Sequence, residues 1–250
     1  MIYWVWLSQI PFVGPVTVKR LLTELGSPEA IYCANMEQLH SISGISYKQR
    51  ESIISHRSLE LPEKILKECN KKEIGILCLD DPRYPDRAKI PEDAPAVLYF
   101  KGCFKEMEKT VGIVGARRCC QEAKRRAVSL AEEYSGNGYT VISGMAKGID
   151  SYAHTACLNL GGFTVAVAGN GLDICYPSEH KKLMECIEER GLLISEYPPG
   201  TRPSRYSFPR RNRIISAWSD KIIAVAPGKG SGALSTIEFG KKYGREVEII

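Results

Sequence analysis

The sequence predicts an α/β protein: an extended Rossmann-like fold with a mostly parallel sheet, preceded by a small all-helical domain. Three observations carry this prediction. From Lys109 onward, short continuous apolar runs alternate with stretches of helical period. Those apolar runs repeatedly end in glycine, as strands do where they turn into helices. Before residue 62 only short helical patterns occur, separated by proline and glycine. We therefore divide the chain into residues 1–62, helical, and 63–250, Rossmann-like.

Along the helical part, "IPFVGPVTVKRLL" and "ISGISYKQRESII" share a glycine turn that opens an amphipathic helix carrying basic residues. Helix-hairpin-helix modules have this form, and their turn glycines bring backbone N–H groups to phosphates. A small helical domain whose glycines only make turns has it too, and the shortness of the two stretches favours that plainer reading. A helix and a strand, Ile74–Leu79, follow. A proline-rich loop runs to Pro95, and "AVLYFKG" forms a second strand. Then come the strand "TVGIVGA", a helix over Gln121–Ser135, the strand "YTVISG" and a helix over Asp150–Leu160. The strand "FTVAVAG", a helix over Glu179–Glu189, the strand "GLLIS" and a short helix over Asn212–Trp218 come next. The strand "KIIAVAP", a helix over Ser235–Tyr243 and the strand "REVEII" complete the pattern. Continuous apolar strands imply a sheet covered on both faces.

Composition narrows the function classes. The 250 residues are 44% hydrophobic and 25% charged, as in ordinary globular proteins. The opening "MIYWVWLSQIPFVG" is apolar, but Ser8, Gln9 and Pro11 interrupt it and no basic segment leads it, so neither a signal peptide nor a membrane span is expected. The nine cysteines are scattered without a CxxC pair, which predicts reduced, mostly core residues and a cytoplasmic location. Net charge is only +5, yet the segment Tyr197–Ser219 holds Arg202, Arg205, Arg210, Arg211 and Arg213 and no acid. Charge concentrated in this way points to a phosphate or polyanion partner.

The strand ends supply the candidate site. Gly115-Ala116-Arg117-Arg118, Ser143-Gly144 with Lys147 and Gly148, Gly169-Asn170-Gly171, and the loop with Gly228, Gly230, Ser231 and Gly232 all fall at C-terminal strand ends. There, backbone N–H groups and helix N-termini receive anions. No GxxxxGK[ST] and no full GxGxxG follows a strand, which speaks against a P-loop nucleotidase and a standard dinucleotide enzyme. Asp150 and His154, four apart on one helix, could be an acid–base pair or metal ligands. Without a second histidine or cysteine at ligand spacing, we read Asp150 as a helix cap and His154 as an internally bonded side chain.

The motifs "VGIVGARR", "VISGMAKGIDSYAHTACLNLGGFTVAVAGNGLDICYP", "LLISEYPPGTRPSRYSFPRRNRIIS" and "SGALST" resemble, in order and approximate spacing, the DprA/Smf family (DNA-processing protein A). The similarity runs from Leu79 nearly to the C-terminus, and the N-terminal part resembles that family's sterile-alpha-motif-like domain. The resemblance implies an extended Rossmann fold that binds single-stranded DNA, protects it on entry, dimerises, and loads RecA recombinase in natural transformation. It implies neither catalytic turnover nor a cofactor or metal. Residue by residue, Arg117, Lys147, Phe208, Arg210, Arg211, Asn212, Arg213, Ser231 and Gly232 match the family's motifs. Asn170, in the Gly169-Asn170-Gly171 turn, completes the expected DNA-binding set.

Three departures stand out. "VAPGKG" replaces the family's Val-Glu-Ala-like strand end, the sequence stops before a Val-Pro-Gly segment, and the winged-helix domain that many members carry is not in it. The expected partners are a single strand, RecA and a second copy of the chain, with no membrane insertion. An alternative is a Rossmann-type nucleotide-binding enzyme, since "PGKGSGALSTIE" resembles a loop of the lysine-decarboxylase-like phosphoribohydrolases. In that reading Glu238 would assist glycosidic cleavage. One arginine of the cluster, Arg210 or Arg213, is expected to pair with Asp150, Asp173 or Glu196.

Overall fold

The computed structural model describes every residue except Lys229, which falls in the divergent "VAPGKG" stretch. Residues 2–55 form five short helices: α1 (Ile2–Gln9), α2 (Pro15–Leu25), α3 (Pro28–Cys33), α4 (Met36–Ser41) and α5 (Tyr47–Ser55). Local chemistry sets their ends. Pro15 and Pro28 open α2 and α3, where a missing N–H has no consequence. Asn35 and Ser46 begin α4 and α5 with reciprocal capping boxes to Gln38 and Gln49. Trp6, Leu7, Leu21, Ile31, Leu39 and Ile53 fill a separate small core between them. The apolar N-terminal run is thus a buried helix, and among the described residues no helix is long and apolar enough to cross a membrane.

Helix α6 (Glu60–Lys71) follows, so a division at residue 62 falls inside its first turn. It lies against α1 and shares Ile65 and Cys69 with the sheet core. The sheet contains β1 (Gly75–Cys78), β2 (Val97–Gly102), β3 (Thr110–Gly115), β4 (Thr140–Gly144), β5 (Thr164–Ala168), β6 (Leu192–Ser195), β7 (Lys221–Val225) and β8 (Glu246–Ile249). Its order is β1-β2-β6-β5-β4-β3-β7-β8. The six strands β3 to β8 run parallel, while β1 and β2 pair antiparallel at one side. A turn of helix, α7 (Asp86–Lys89), interrupts the proline-rich loop predicted between β1 and β2.

Strand alternation sends successive side chains to opposite faces. Val111, Ile113, Val141, Ile223 and Val225 meet α8 (Gln121–Gly136) and α9 (Ile149–Asn159). Ala166, Ala168 and Leu193 continue that face toward α10 (Lys181–Arg190) and α6. On the other face Val114, Ile142, Val165, Val167, Ile194, Ile222 and Ala224 pack on α11 (Ser207–Trp218) and α12 (Ala233–Lys242). The expected two-sided, mostly parallel sheet is what forms.

Three expectations need correction. Helix α11 begins at Ser207, five residues before the predicted Asn212. Ser204 and Ser207 exchange backbone-to-hydroxyl hydrogen bonds of 3.2 and 3.1 Å, which nucleate the first turn. Pro209 then sits within that turn, where no intrahelical donor is needed. The cysteines are not mostly core: only Cys69, Cys78 and Cys157 are buried, and all nine are unpaired thiols. Asp150 makes no cap hydrogen bond, because Gly148 at φ 80° occupies the N-cap of α9.

Candidate nucleic-acid interface

The chain leaves β3 for β4, β5 and β6 in one direction and returns on the other side of β3 as β7. Such a reversal opens a crevice beyond the strand ends. Here it is a cleft of about 380 Å³, walled by the loops after β3, β4 and β5, the Pro203–Arg205 segment, and the first turns of α11 and α12. Close backbone packing shapes its floor. A Cβ at Gly148 would stand 2.3 Å from the Ala116 carbonyl oxygen, so the β3 and β4 loops could not meet with any other residue there.

Helix α11 presents Phe208, Arg211, Asn212 and Ile215 to the cleft. Their spacing of three, four and seven is one face of a helix. Arg211 is the central side chain. It is 4% exposed, it packs over Gly144, and its Nε and Nη1 are buried without a hydrogen-bond partner. Among the described residues no carboxylate comes within the 4.0 Å of an ion pair with it. Burial pushes its guanidinium below the ordinary arginine value, with nearby Asp150 opposing the shift and Arg117 adding to it. Asp150 provides the carboxylate among the cleft-lining residues, and burial pushes its carboxyl up while Arg211 and Arg117 draw it down. Taking a charge out of water costs several kcal/mol, on the order of what two buried apolar side chains contribute. Ile214, Ile215 and Trp218, fully buried one turn further on, hold α11 in place against that cost.

Aromatic and basic groups stand around Arg211. Phe208 stacks on Tyr176 with ring centroids 5.4 Å apart and planes 28° apart. The Arg117 guanidinium lies over the Phe208 ring at 5.4 Å. Gly169 makes room for that ring, since a Cβ would stand 2.8 Å from it. Arg117 is exposed and Tyr176 is 43% exposed, so a cation and a pair of π-faces border the cleft mouth. Lys147 flanks a smaller recess shared with Arg117, Phe208 and Arg211, but its ammonium is paired with Glu179. Both members of that pair are exposed, so it exchanges readily with solvent.

The remaining predicted residues divide into supports and outsiders. Asn212 lines the cleft with its amide nitrogen bonded to the Gly232 carbonyl (2.9 Å) and Ser235 Oγ (2.8 Å), which fixes the entry into α12. Gly232 lines the cleft, whereas Ser231 does not, its hydroxyl accepting from the Ala233 N–H. Asn170 is 2% exposed and lies outside the cleft, its amide on the Gly171 and Ile174 carbonyls. Arg213 is turned away, its side chain 6% exposed and 2.6 Å from Glu196 Oε1. Arg210 reaches the same oxygen at 3.2 Å, so two arginines rather than one are paired there. Asp173 pairs with Lys72 instead.

His154 behaves as expected, bonded through Nδ1 to Thr164 Oγ1 (2.7 Å) and Nε2 to the Gly144 carbonyl (2.8 Å). Glu238, the residue the alternative reading names, is exposed on α12 and does not line the cleft. Tyr176 was not anticipated, and Arg205, which lines the cleft, was expected only as part of the arginine cluster. The signal available for Tyr176 was an aromatic residue before a proline in a loop after a glycine-ended strand.

In the helical part, Lys19, Arg20 and Arg50 are engaged internally, whereas Lys48 is exposed. Lys19 donates to the Lys89, Ile90 and Pro91 carbonyls at 2.8 to 3.3 Å, Arg20 bonds the Gly44 carbonyl, and Arg50 bonds His40 and Ile42.

Comparison with known proteins assigns the chain to a family. A family model described as DNA recombination-mediator protein A matches residues 75–250, and one described as a SAM-like helix-hairpin-helix tandem matches residues 7–57. The second match gives the N-terminal helices the helix-hairpin-helix form. The chain is 37% identical to Protein Smf of Synechocystis sp. over 98% of its own length and 63% of that relative's. Among solved structures, DNA processing protein A from Streptococcus pneumoniae superposes with a TM-score of 0.81 at 27% identity, over 99% of this chain and 84% of that one. DNA processing protein A from Helicobacter pylori, whose structure describes a single-stranded DNA binding mode, gives 0.64 at 31% identity over 71% and 80%. The chain belongs to the DNA recombination-mediator protein A family, and it spans about 63% of the length of its Synechocystis relative.

Proposed function

We propose that this chain binds single-stranded DNA in the cleft at the strand ends, without catalytic turnover, and delivers it to RecA recombinase. The observation that carries the reading is Arg211: a buried guanidinium with no anionic partner, at the base of a cleft bordered by Arg117 and the Phe208–Tyr176 stack. A phosphate supplies the missing anion, and arginine binds it bidentately. Unstacked bases lie on the aromatic faces, which a duplex would not offer. Lys147 joins by exchanging Glu179 for phosphate. Arg210 and Arg213 act indirectly, holding Glu196 away from the strand. In this reading the protein works in the cytoplasm as a homodimer, protects incoming DNA during natural transformation, and needs no cofactor.

The test is a fluorescence-anisotropy titration with single strands and duplexes of about 30 nucleotides, enough to fill several single-strand sites. Single strands bind more tightly, and log affinity falls with log salt by about 0.7 per phosphate contacted. Arg211→Glu abolishes the binding. Affinity indifferent to salt and to that substitution would place the strand elsewhere. RecA loading is read separately, as faster filament growth on strands coated with single-strand-binding protein.

A further inference from the structure

The charged residues lining the cleft are Arg117, Arg205 and Arg211, and against them Asp150. Asp150 is 6% exposed in the first turn of α9. We propose that Asp150 sets the strength of strand binding through a proton: ionised it repels an entering phosphate, and protonated it admits one. The inference rests on the single-strand reading above and deepens it by naming the residue that limits affinity.

Placement is the first argument. An aspartate at a helix start ordinarily caps the helix or pairs with a base. Here Gly148 holds the N-cap, and among the described residues no ion pair within 4.0 Å joins Asp150 to Arg211 or to any other cation. The nearby Ser143 hydroxyl is given to the Ile113 carbonyl (2.6 Å). The fold therefore buries a carboxylate in an anion cleft without an ion pair or a cap to account for it.

Charge balance is the second. A phosphodiester keeps its negative charge throughout the physiological range, so it cannot relieve a clash by protonating. Two anions in one dehydrated space disfavour each other, and the carboxyl is the member able to become neutral. The proton comes from solvent, and the carboxyl turns from acceptor to donor, with an O–H to give to a phosphate oxygen. One proton thus removes a repulsion and adds a hydrogen bond. Burial already pushes the Asp150 carboxyl up, against the pull of Arg211, the Ala146 N–H, Arg117 and Ser143.

The surrounding groups leave Asp150 as the one that responds. Arg211 faces it from α11 and Arg117 from the β3–α8 loop, and arginines stay charged. On α9 itself His154 stands one turn on, with both ring nitrogens bonded and its value down to about 4, so it is neutral above that pH. His180, ahead of α10, bonds the Met145 carbonyl (3.2 Å) and acts on His154. Lys147 in the same loop is paired with Glu179.

An oligothymidylate of about 20 nucleotides, long enough to fill a single-strand site, avoids bases that titrate. It is followed by anisotropy at constant ionic strength from about pH 8 down to about pH 5.5, above the ordinary carboxylate value. Affinity of the native protein rises as pH falls, by at most about tenfold per pH unit for one proton taken up. Asp150→Asn keeps the shape and loses the charge; it binds at least about fivefold more tightly at about pH 7.5 and flattens the profile. Calorimetry of the native protein in two buffers of different ionisation enthalpy reads the proton without a variant, as binding heats that differ. Equal heats, or Asp150→Asn that binds no more tightly or keeps the native slope, overturns the role of Asp150 and leaves the cleft standing. Weaker binding by Asp150→Asn overturns it too, and makes Asp150 a support for Arg211. A native protein that binds the strand at no pH overturns both readings.

Discussion

At the scale of single residues, Arg211 sets stability against function. Its guanidinium is buried over Gly144 with two unpartnered nitrogens, and Asp150 is too distant to form an ion pair. An apolar side chain of similar length relieves that desolvation, and replacing buried ionic groups in this way commonly stabilises by about 1–4 kcal/mol. Arg211→Met is therefore expected to raise the thermal midpoint by several degrees while binding to single strands is lost. Differential scanning calorimetry and anisotropy on the same preparation check both halves. A lower midpoint in Arg211→Met would mean that Asp150 stabilises the arginine more than the geometry allows. Arg213, two positions away, is the contrasting case, since Glu196 satisfies it and its removal leaves that largely buried carboxylate only the longer contact to Arg210.

At the scale of elements, α11 organises the site, and Asn212 is where it reaches α12. Two hydrogen bonds from one amide nitrogen hold the Gly232 carbonyl and Ser235 Oγ. Asn212→Ala is expected to lower stability by about 1–3 kcal/mol in urea titration and to speed amide exchange in the first turn of α12. Unchanged exchange there would show that the α12 entry holds itself.

The same helix explains what the sequence made legible and what it did not. Continuous apolar strands ending in glycine revealed the sheet and its ligand edge, because a strand buried on both faces has few other compositions open to it. The arginine cluster was visible as composition, but its division was hidden by the position of the helix start. Once α11 begins at Ser207, Arg210 and Arg213 are three apart on one face and both meet Glu196. Arg211 and Phe208 share the other face and meet the cleft. The Ser204–Ser207 turn that starts the helix early is a local exchange of hydrogen bonds, which apolar periodicity does not register. Tyr176 and Asn170 depended on which loop residues turn toward the cleft, and strand periodicity carries no information on that.

For the whole molecule, helical unit and sheet are joined by α6 and by Lys19 on the carbonyls after α7, and unfolding carries a pH signature from the sheet core. Burial pushes His154 down from 6.5 to about 4; Arg211 and His180 add to the shift, and the bond to the Gly144 carbonyl opposes it. The unfolded chain then takes up the proton first as pH falls. The stability linked to neutral His154 is complete above pH 6.5 and is lost as pH falls toward about 4. Buried Asp150, pushed upward, acts in the opposite sense, so the comparison needed is between the native protein and His154→Asn. Urea midpoints should drop more steeply through that window in the native protein, by on the order of 3 kcal/mol at most. Parallel curves would show that His154 titrates normally.

The unpaired Arg211 also bears on how this protein is handled. If Arg211 meets phosphate as proposed, it is expected to take small oxyanions from solution as well, so that phosphate and sulfate buffers act as competitors as well as electrolytes. At equal ionic strength, strand affinity measured in phosphate will understate the value found in chloride, and a protein carried through a sulfate precipitation will reach the assay already occupied.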